Sequence, residues 1–465
     1  MTTIENSAHD TGHVGADLAG RRPALSRLCG GAVHLPGDPG YDTARMPWNV
    51  AVDQRPAAVA YPADAIEVAE LVRAASAAGL RVAPQGTGHN AGPLGPLDDV
   101  VLLRTSAMTQ VRVDPRRRTA RAEAGALWID VVERAAPHGL AALHGSSPDV
   151  GVAGYSLGGG IGWYSRQHGL QANAVTAFEL VTAAGERVRA DAEHESDLFW
   201  ALRGGGGNFG VVTAVEFDLF PIATAYAGWL VWDWREAARV LPVWADWART
   251  APDHVTTALR LLQVPPMPQI PEVLRNRQLL VIDGAVLGDP DVLAPLRALR
   301  PELDTFAAMP APALCRLHMD PEGPTPAVGR AALLGELDAG AFDALLGAAG
   351  PDSGTSLLVA AELRQLGGAL GRPAPRHGAL PRLDADYALF TCGIAATPEM
   401  GELSAAHTDR VVEAMAPWSN GREYLNFAET KVETARAYDA EAWPRLRRIR
   451  DAVDPSGLFV ANHVL

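Results

Sequence analysis

Residues 84–95 read PQGTGHNAGPLG, and the fold turns on how this stretch is read. It follows LRVA, residues 80–83, a short apolar run that reads as a buried strand. Gly86-x-Gly88-x-x-Ala91 fits the loose form of the dinucleotide fingerprint, in which a strand ends in a glycine turn and a helix opens onto the pyrophosphate. No helix can open here. After Gly88 the chain runs HNAGPLGPLDD, where Pro93 and Pro96, with Gly92 and Gly95 beside them, forbid the helical backbone. The helical pattern precedes the strand instead. DAIEVAELVRAASAAG, residues 64–79, has apolar positions at helical spacing, Asp at its start and Gly at its end. The nicotinamide-dinucleotide reading is therefore rejected. A phosphate-cradling loop remains, because Gly86 and Gly88 let the backbone approach closely and aim successive N–H groups at an anion. The plainer alternative is a surface turn with a solvated histidine.

A second block favours the ligand reading. Residues 144–170, HGSSPDVGVAGYSLGGGIGWYSRQHGL, carry eight glycines between Gly145 and Gly169, interleaved with Val152, Leu157, Ile161 and Trp163. That is too much glycine for a core element and too much apolar surface for a linker. It suits backbone wrapped around a large, flat or extended ligand; a stack of tight β-turns is the alternative. Two such blocks flanking a strand–helix–strand pattern make a large cofactor the better explanation.

Around these blocks the pattern is mixed. DVVLLR (99–104) reads as a strand, and TARAEAGALWIDVVERAAPHGL as strand, turn, helix and stop. AVTAFELVTAAGERVRA reads as a hairpin turning at Ala184-Gly185, SDLFWALRG as a short helix before Gly204–Gly207, and FGVVTAVEFDLF as a strand. Beyond Pro221 glycine clustering fades. Helical stretches such as PDVLAPLRALR alternate with strand-like ones such as QLLVIDGAVLG, which reads as a second α+β domain. The end, AWPRLRRIRDAVDPSGLFVANHVL, reads as a helix, a Pro-Gly stop and a short strand. The expected organisation is a mobile tail over 1–30, domains over 31–222 and 223–420, and a segment over 421–465 returning to the first domain.

With 465 residues the chain is long enough for two or three domains. A formal net charge of -14 argues against nucleic acid, which needs a basic surface, and gives no support to a membrane-surface role. No apolar run reaches the ~18 residues of a spanning helix. The first residues, MTTIENSAHDTGHVGADLAG, lack the basic and apolar regions of a secretory signal. Cys29, Cys315 and Cys392 lie far apart, which argues against a disulfide framework or a metal site. A cytoplasmic location is expected.

Taken together, GTGHN, SSPDVGVAGYSLGGGIGW, HGL and DLFWALRGGGGNFGVVT resemble the vanillyl-alcohol oxidase and p-cresol methylhydroxylase flavoproteins, and within them the berberine-bridge-enzyme-like oxidases. The resemblance runs from about Tyr41 to Pro221, includes RMPWNVAVDQRPAAVAYPADAIEVA, and resumes at the C-terminus. Between 225 and 415 it is thin, except at VAAELRQLGGAL, similar to a substrate-domain strand ending in LGGA. It implies an α+β fold: a two-lobed FAD-binding domain of the p-cresol methylhydroxylase type plus an α+β substrate domain with an antiparallel sheet.

The resemblance also implies roles. In that family the histidine of the first glycine loop is bonded to the 8α-methyl of FAD, and His89 stands at its place. Gln85, Gly86, Thr87, Gly88 and Asn90 would hold the pyrophosphate. Relatives often have Arg where Gln85 stands, so one positive charge is missing. Many relatives carry a second link from a Cys in GxCPxVG. Here GSSPDVG puts Ser147 there, and a serine makes no thioether, so a single histidyl link and no cysteinyl link is expected. Val150 matches a position associated with oxygen access, and Tyr155 one where relatives often have His. Gly151, Val152, Gly154, Gly158, Gly159 and Gly162 would line the cofactor, Val212 would touch its adenine side, and Asn462 the flavin. Tyr424 and Asn426, in YLNF, resemble the family's Y-x-N-[YF] segment, where Tyr424 would act as general base or orient the substrate hydroxyl and Asn426 would bond the flavin. By itself YLNF also reads as an ordinary strand. In VAAELRQL a strand period puts Glu362 and Arg364 on one face and Gln365 on the other; such a pair is more often a solvated surface, with a pocket as the alternative.

The implied function is an FAD-dependent oxidase with covalent flavin, taking a hydride from a substrate C–H of an alcohol, amine or similar small molecule and returning electrons to O₂. A flavin dehydrogenase with another acceptor, an oxidative cyclase of natural-product assembly, and a non-catalytic binding module are the alternatives. The composition, rich in Ala, Gly, Pro and Arg and poor in Lys, hints at a GC-rich bacterial genome and suits secondary metabolism. Neither the substrate nor the oligomeric state is legible.

Overall fold

A computed structural model describes residues 25–465 apart from 269 and 355–357. Of the expected 1–30 tail, residues 1–24 lie outside the described residues, while Leu25 and Cys29 are buried in an apolar cluster.

The first sheet joins β1 (Val33–His34), β2 (Ala58–Ala60), β3 (Arg81–Gln85) and β4 (Val100–Arg104) in the order β1-β2-β4-β3, with β2, β4 and β3 parallel. The predicted helix forms over Ala65–Ala77. The Asp64 carboxylate caps it by accepting from the N–H groups of Ile66 and Glu67, a contact of ~1 kcal/mol. Its stripe of Val68, Leu71, Val72 and Ala75 packs on the sheet. The expected C-terminal strand shrinks to a bridge of Phe459 to Val82: the Pro455–Gly457 turn precedes it, and Asn462 turns away to Asn90.

The second sheet joins β5 (Val111–Asp114), β6 (Thr119–Glu123), β7 (Val175–Val181), β8 (Arg187–Asp191) and β9 (Val211–Asp218) in the antiparallel order β5-β6-β9-β7-β8. The β7–β8 hairpin turns where expected, with Gly185 at φ +73°. The helices Trp128–Ala135, Val152–Leu157 and Ser196–Leu202 share its core with Trp128, Phe178, Phe209 and Phe217.

The third sheet is antiparallel and comprises β10 (Thr224–Asp233), β11 (Val255–Gln263), β12 (Gln278–Val286), β13 (Leu303–Asp304), β14 (Ala307–Pro310), β15 (Ala327–Leu334), β16 (Leu358–Gln365) and β17 (Tyr387–Ile394). Its order is β13-β10-β12-β11-β16-β17-β15, with β14 also pairing β10. PDVLAPLRALR forms two short turns, Pro290–Leu293 and Ala294–Arg297, because Pro295 has no N–H to continue a longer helix.

Alternation along these strands gives the sheet two unlike faces. Leu259, Leu261, Leu280, Ile282, Leu363 and Leu389 meet the helices Ala237–Thr250, Ala339–Ala349 and Pro398–Met415, around Trp244 and Leu345. The register puts Arg260 opposite Glu362, Asp283 and Arg364 opposite Ala258, and Phe390 opposite Glu362, so these residues share the other face. That face carries the charges, and it looks toward the glycine blocks.

Candidate active site

The first glycine loop leaves β3 at Gln85. In the β3–β4 register Gln85 sits beside Arg104. The Arg104 guanidinium donates to Gln85 Oε1 at 2.7 Å and to the Met46 carbonyl at 3.0 Å. Burial lowers its pKa, yet a guanidinium stays charged. A cation thus stands beside Gln85 on the neighbouring strand, a residue that sequence reasoning missed. Gly88 adopts φ +84°, and a Cβ there would lie 2.7 Å from Pro47 Cβ, so both conformation and space require glycine.

His89 is held on three sides. Its ring stacks on Trp48 at 4.1 Å between centroids and 17° between planes. Nδ1 lies 2.7 Å from Thr87 Oγ1, and Nε2 lies 3.5 Å from Asp149 Oδ1. Asp149 accepts hydrogen bonds of 2.8 Å from Trp48 Nε1, Ser147 Oγ and the Gly323 N–H. Burial alone would raise its pKa; these donors and His89 hold the carboxyl well below the usual range. Asn90 Nδ2 donates to the Leu425 carbonyl at 3.1 Å, and Asn462 Nδ2 donates to the Asn90 carbonyl. The loop is thus tied to the 424–428 turn and to the C-terminal segment.

The second block folds into a short helix, Val152–Leu157, after the half-buried Val150 and Gly151. Val150 accepts from the Trp128 N–H at 3.0 Å. Val152 points wholly into the second core, and Val212, paired with Leu180 in β9, is buried there too. Tyr155 donates to the Leu143 carbonyl at 3.2 Å and meets Trp128 edge-on. A Cβ at Gly158 would lie 1.8 Å from Asn426 Oδ1, and one at Gly162 1.8 Å from the His144 carbonyl oxygen. Glycine at these two positions answers to protein packing. Gly159 backs onto Leu380 and Tyr424, whereas Gly154 leaves open space.

YLNF is a turn, contrary to its strand-like composition. Its backbone bonds close locally, Phe427 N–H to the Tyr424 carbonyl at 2.9 Å and Ala428 N–H to that of Leu425 at 3.3 Å, leaving no ladder. Asn426 Nδ2 donates to the Tyr155 carbonyl at 3.0 Å and to Tyr424 Oη at 3.3 Å. Burial pushes the Tyr424 phenol well above its ordinary value, against the Asn426 and Gly160 donors. Burial thus favours the protonated phenol at Tyr424.

Glu362 and Arg364 do share a face, and the solvated-surface reading is wrong: Glu362 is only 3% exposed. Arg364 Nε donates to Glu362 Oε1 at 2.6 Å while its guanidinium lies 5.4 Å from the Phe427 ring centre. His318, missed in the sequence, bridges two carboxylates, with Nδ1 2.8 Å from Asp283 Oδ2 and Nε2 3.2 Å from Glu362 Oε2. Arg260 Nη2 pairs with Asp283 at 2.6 Å, and Ser146 Oγ donates to Asp320 at 2.8 Å, 3.9 Å from His318. Burial and Arg260 lower the His318 pKa, but Asp283, Asp320 and Glu362 carry it to about 9. Burial would raise Glu362; Arg364 and His318 hold it well below the carboxylate range. Nearby, burial pushes the Glu429 carboxyl up to about 7 beside the Gly329 N–H. The available signal was a lone charge inside an apolar strand, Arg260 in TTALRLL and Asp283 in LLVIDGAV, because a buried charge must be paired.

The residues of the first loop fit a flavin nucleotide. Gln54 Nε2, Asn90 Oδ1 and Arg104 Nε are buried there without a hydrogen-bond partner, and His89 Nε2 has only the 3.5 Å approach of Asp149. Buried polar atoms are normally satisfied, so a cluster of orphans marks a polar ligand. A cation and loop amides suit a pyrophosphate, and the half-buried edge of the second block and Asn426 suits a flat ring. Among the described residues no group of His, Cys, Asp or Glu is placed to hold a metal ion, and no helix is long and apolar enough to cross a membrane.

Comparison with known proteins agrees with this geometry. Residues 56–191 match the FAD binding domain family. (R)-6-hydroxynicotine oxidase of Paenarthrobacter nicotinovorans is 34% identical over 228 residues, 48% of this chain and 50% of that protein. The match thus spans about half the length of this curated relative. Over the whole chain, the structure of 6-hydroxy-D-nicotine oxidase from Arthrobacter nicotinovorans superposes with a TM-score of 0.79 at 25% identity, covering 92% of this chain and 96% of that one. Berberine bridge enzyme from Eschscholzia californica shares the fold at a TM-score of 0.78 and 18% identity, covering 96% and 97%.

Proposed function

The chain belongs, by its FAD-binding domain and its fold, to the p-cresol methylhydroxylase-type flavoproteins, and from that premise we propose that it is an FAD-dependent oxidase of a small alcohol or amine, with its flavin bonded covalently to His89. The observation that carries this reading is the set of orphaned polar atoms around residues 54–104, Gln54 Nε2, Asn90 Oδ1 and Arg104 Nε. When bound, the flavin supplies hydride acceptance from a substrate C–H and electron return to O₂.

The chain's own residues supply the rest. Gln85, Thr87, Asn90 and Arg104 would hold the phosphates, with the loop amides of Gly86 and Gly88. Asn426, bonded to the Tyr155 carbonyl, and Asn462, bonded to the Asn90 carbonyl, would border the ring. Tyr424, protonated and held by Asn426, donates a hydrogen bond that orients substrate. Glu362 is already ionised and doubly held, so its part is to fix Arg364 against Phe427. Glu429 lies buried beside the Gly329 N–H, and burial pushes its carboxyl up to about 7.

The test is direct. Wild type and His89→Ala are denatured in acid, and the washed pellets are assayed for flavin absorbance. Flavin should stay with wild type and leave with the variant. Flavin retained by the variant refutes the link through His89. Intact protein should release H₂O₂ with some member of an alcohol and amine panel; reduction of the flavin without O₂ consumption would refute the oxidase reading.

A further inference from the structure

Resting on the histidyl link proposed above, we propose that Asp149 is the positioning residue that prepares His89 for that link, by holding the imidazole proton on Nε2 and accepting it as the bond forms. The carboxylate is built for this place. Trp48 Nε1 and the Gly323 N–H fix Oδ2, each at 2.8 Å, and Ser147 Oγ steers Oδ1 at 2.8 Å. Oδ1 is the oxygen that faces His89 Nε2, 3.5 Å away. Nothing else bonds that nitrogen, which is buried. Trp48 also stacks on the imidazole and donates its backbone N–H to the Thr87 carbonyl at 2.9 Å, so one residue aligns both partners.

A carboxylate beside one ring nitrogen draws the proton to it and leaves the lone pair on the other. Here that lone pair is on Nδ1, which accepts from the Thr87 hydroxyl at 2.7 Å, and a change of the Thr87 χ1 rotamer frees it. Catalytic contacts of this kind are commonly long before the ligand arrives, so 3.5 Å leaves room to tighten. Ser147 gains a role here: at the position where relatives place a second link, its hydroxyl holds the oxygen that acts on the first.

The step balances as follows. One C–H bond of the flavin 8α-methyl breaks and an Nδ1–C bond forms. The methyl proton and the Nε2 proton are released, the latter to Asp149. The two electrons pass to dioxygen, which takes up two protons and ends as hydrogen peroxide.

The experiment uses the full chain produced in flavin-depleted cells and then supplied with FAD. Acid-stable flavin is followed over time, and non-covalent binding is followed separately by quenching of flavin fluorescence. D149N should bind FAD as wild type does but form the covalent bond roughly a hundredfold more slowly, the size of a lost general base. Formate should speed the reaction of D149A in proportion to its concentration, which a merely structural role would not produce. Covalent incorporation into D149N at the wild-type rate overturns the proposal, and so does a slow, folded D149A that formate leaves slow. If D149N does not bind FAD, S147A decides: a severalfold slower rate supports the proposal and a wild-type rate overturns it. Wild type that releases all its flavin in acid removes the histidyl link and this proposal together, whereas acid-stable wild type with an unchanged D149N removes only the role of Asp149.

Discussion

His318 should make the stability of this protein fall with alkaline pH in a way a single substitution abolishes. Its imidazole is buried between Asp283 and Glu362, and its pKa rises from 6.5 to about 9. At about 1.4 kcal/mol per tenfold change in proton affinity, the difference is worth ~3 kcal/mol. Because the folded value is the higher one, the folded state holds the proton more tightly than the unfolded chain. That contribution is fully present below pH 6.5, declines from there, and is lost as pH rises through about 9. With an unfolding entropy of ~2 cal/mol/K per residue over 465 residues, the loss corresponds to a Tm change of about 3 °C. The comparison is wild type against H318Q, which fills a similar volume and cannot be protonated. Thermal unfolding from about pH 6 to about pH 10 should show the two curves converging by about 3 °C as pH rises, whatever their offset. Curves that run parallel would refute the buried imidazolium, and with it the charge balance assigned to the cluster.

Other perturbations probe other parts of the site. G158A places a Cβ where Asn426 Oδ1 now lies, 1.8 Å away, so it should displace Asn426 from Tyr155 and Tyr424. Overpacking of this kind costs about 1–3 kcal/mol, and an unchanged Tm would contradict the close approach. R104Q, in an H89A background where FAD is free to dissociate, should weaken FAD binding on the order of tenfold, because it removes a charge-assisted contact. Titration of flavin fluorescence gives the answer, and an unchanged Kd would show that Arg104 serves only to hold Gln85.

The first half of the site was legible because its signals are local. Pro93 and Pro96 limit their stretch to one 3₁₀ turn, Gly92–Leu94, wherever the chain goes, and Asp64 caps a helix at its own start. Gly185 turns a hairpin within its own neighbourhood. The YLNF turn was misread because composition favours a strand, while the tethers that close it come from Asn90 and Tyr155, far along the chain. In VAAELRQL the period-two rule assigned Glu362 and Arg364 to one face correctly. Periodicity states which residues share a face and says nothing of what covers it. The cover comes from His318 and Phe427, which only the assembled fold brings near.

The charged face also bears on why the sheet has one register. A slip of β16 by one residue would turn Glu362 and Arg364 toward the helices, against Trp244, Leu345 and Val411. It would bring Leu363 to the glycine blocks in their place. A buried charge stripped of its partner costs about 3–5 kcal/mol, so the slip is penalised at both residues and again at the stranded His318. Replacing the network with apolar residues would remove that penalty and leave β11, β16 and β17 with two greasy faces and little to distinguish one alignment from the next. The residues that shape the pocket are thus the ones that fix the strands presenting them, which accounts for Arg260, Asp283, Glu362 and Arg364 in strands otherwise built to be apolar, with His318 and Asp320 packed against them.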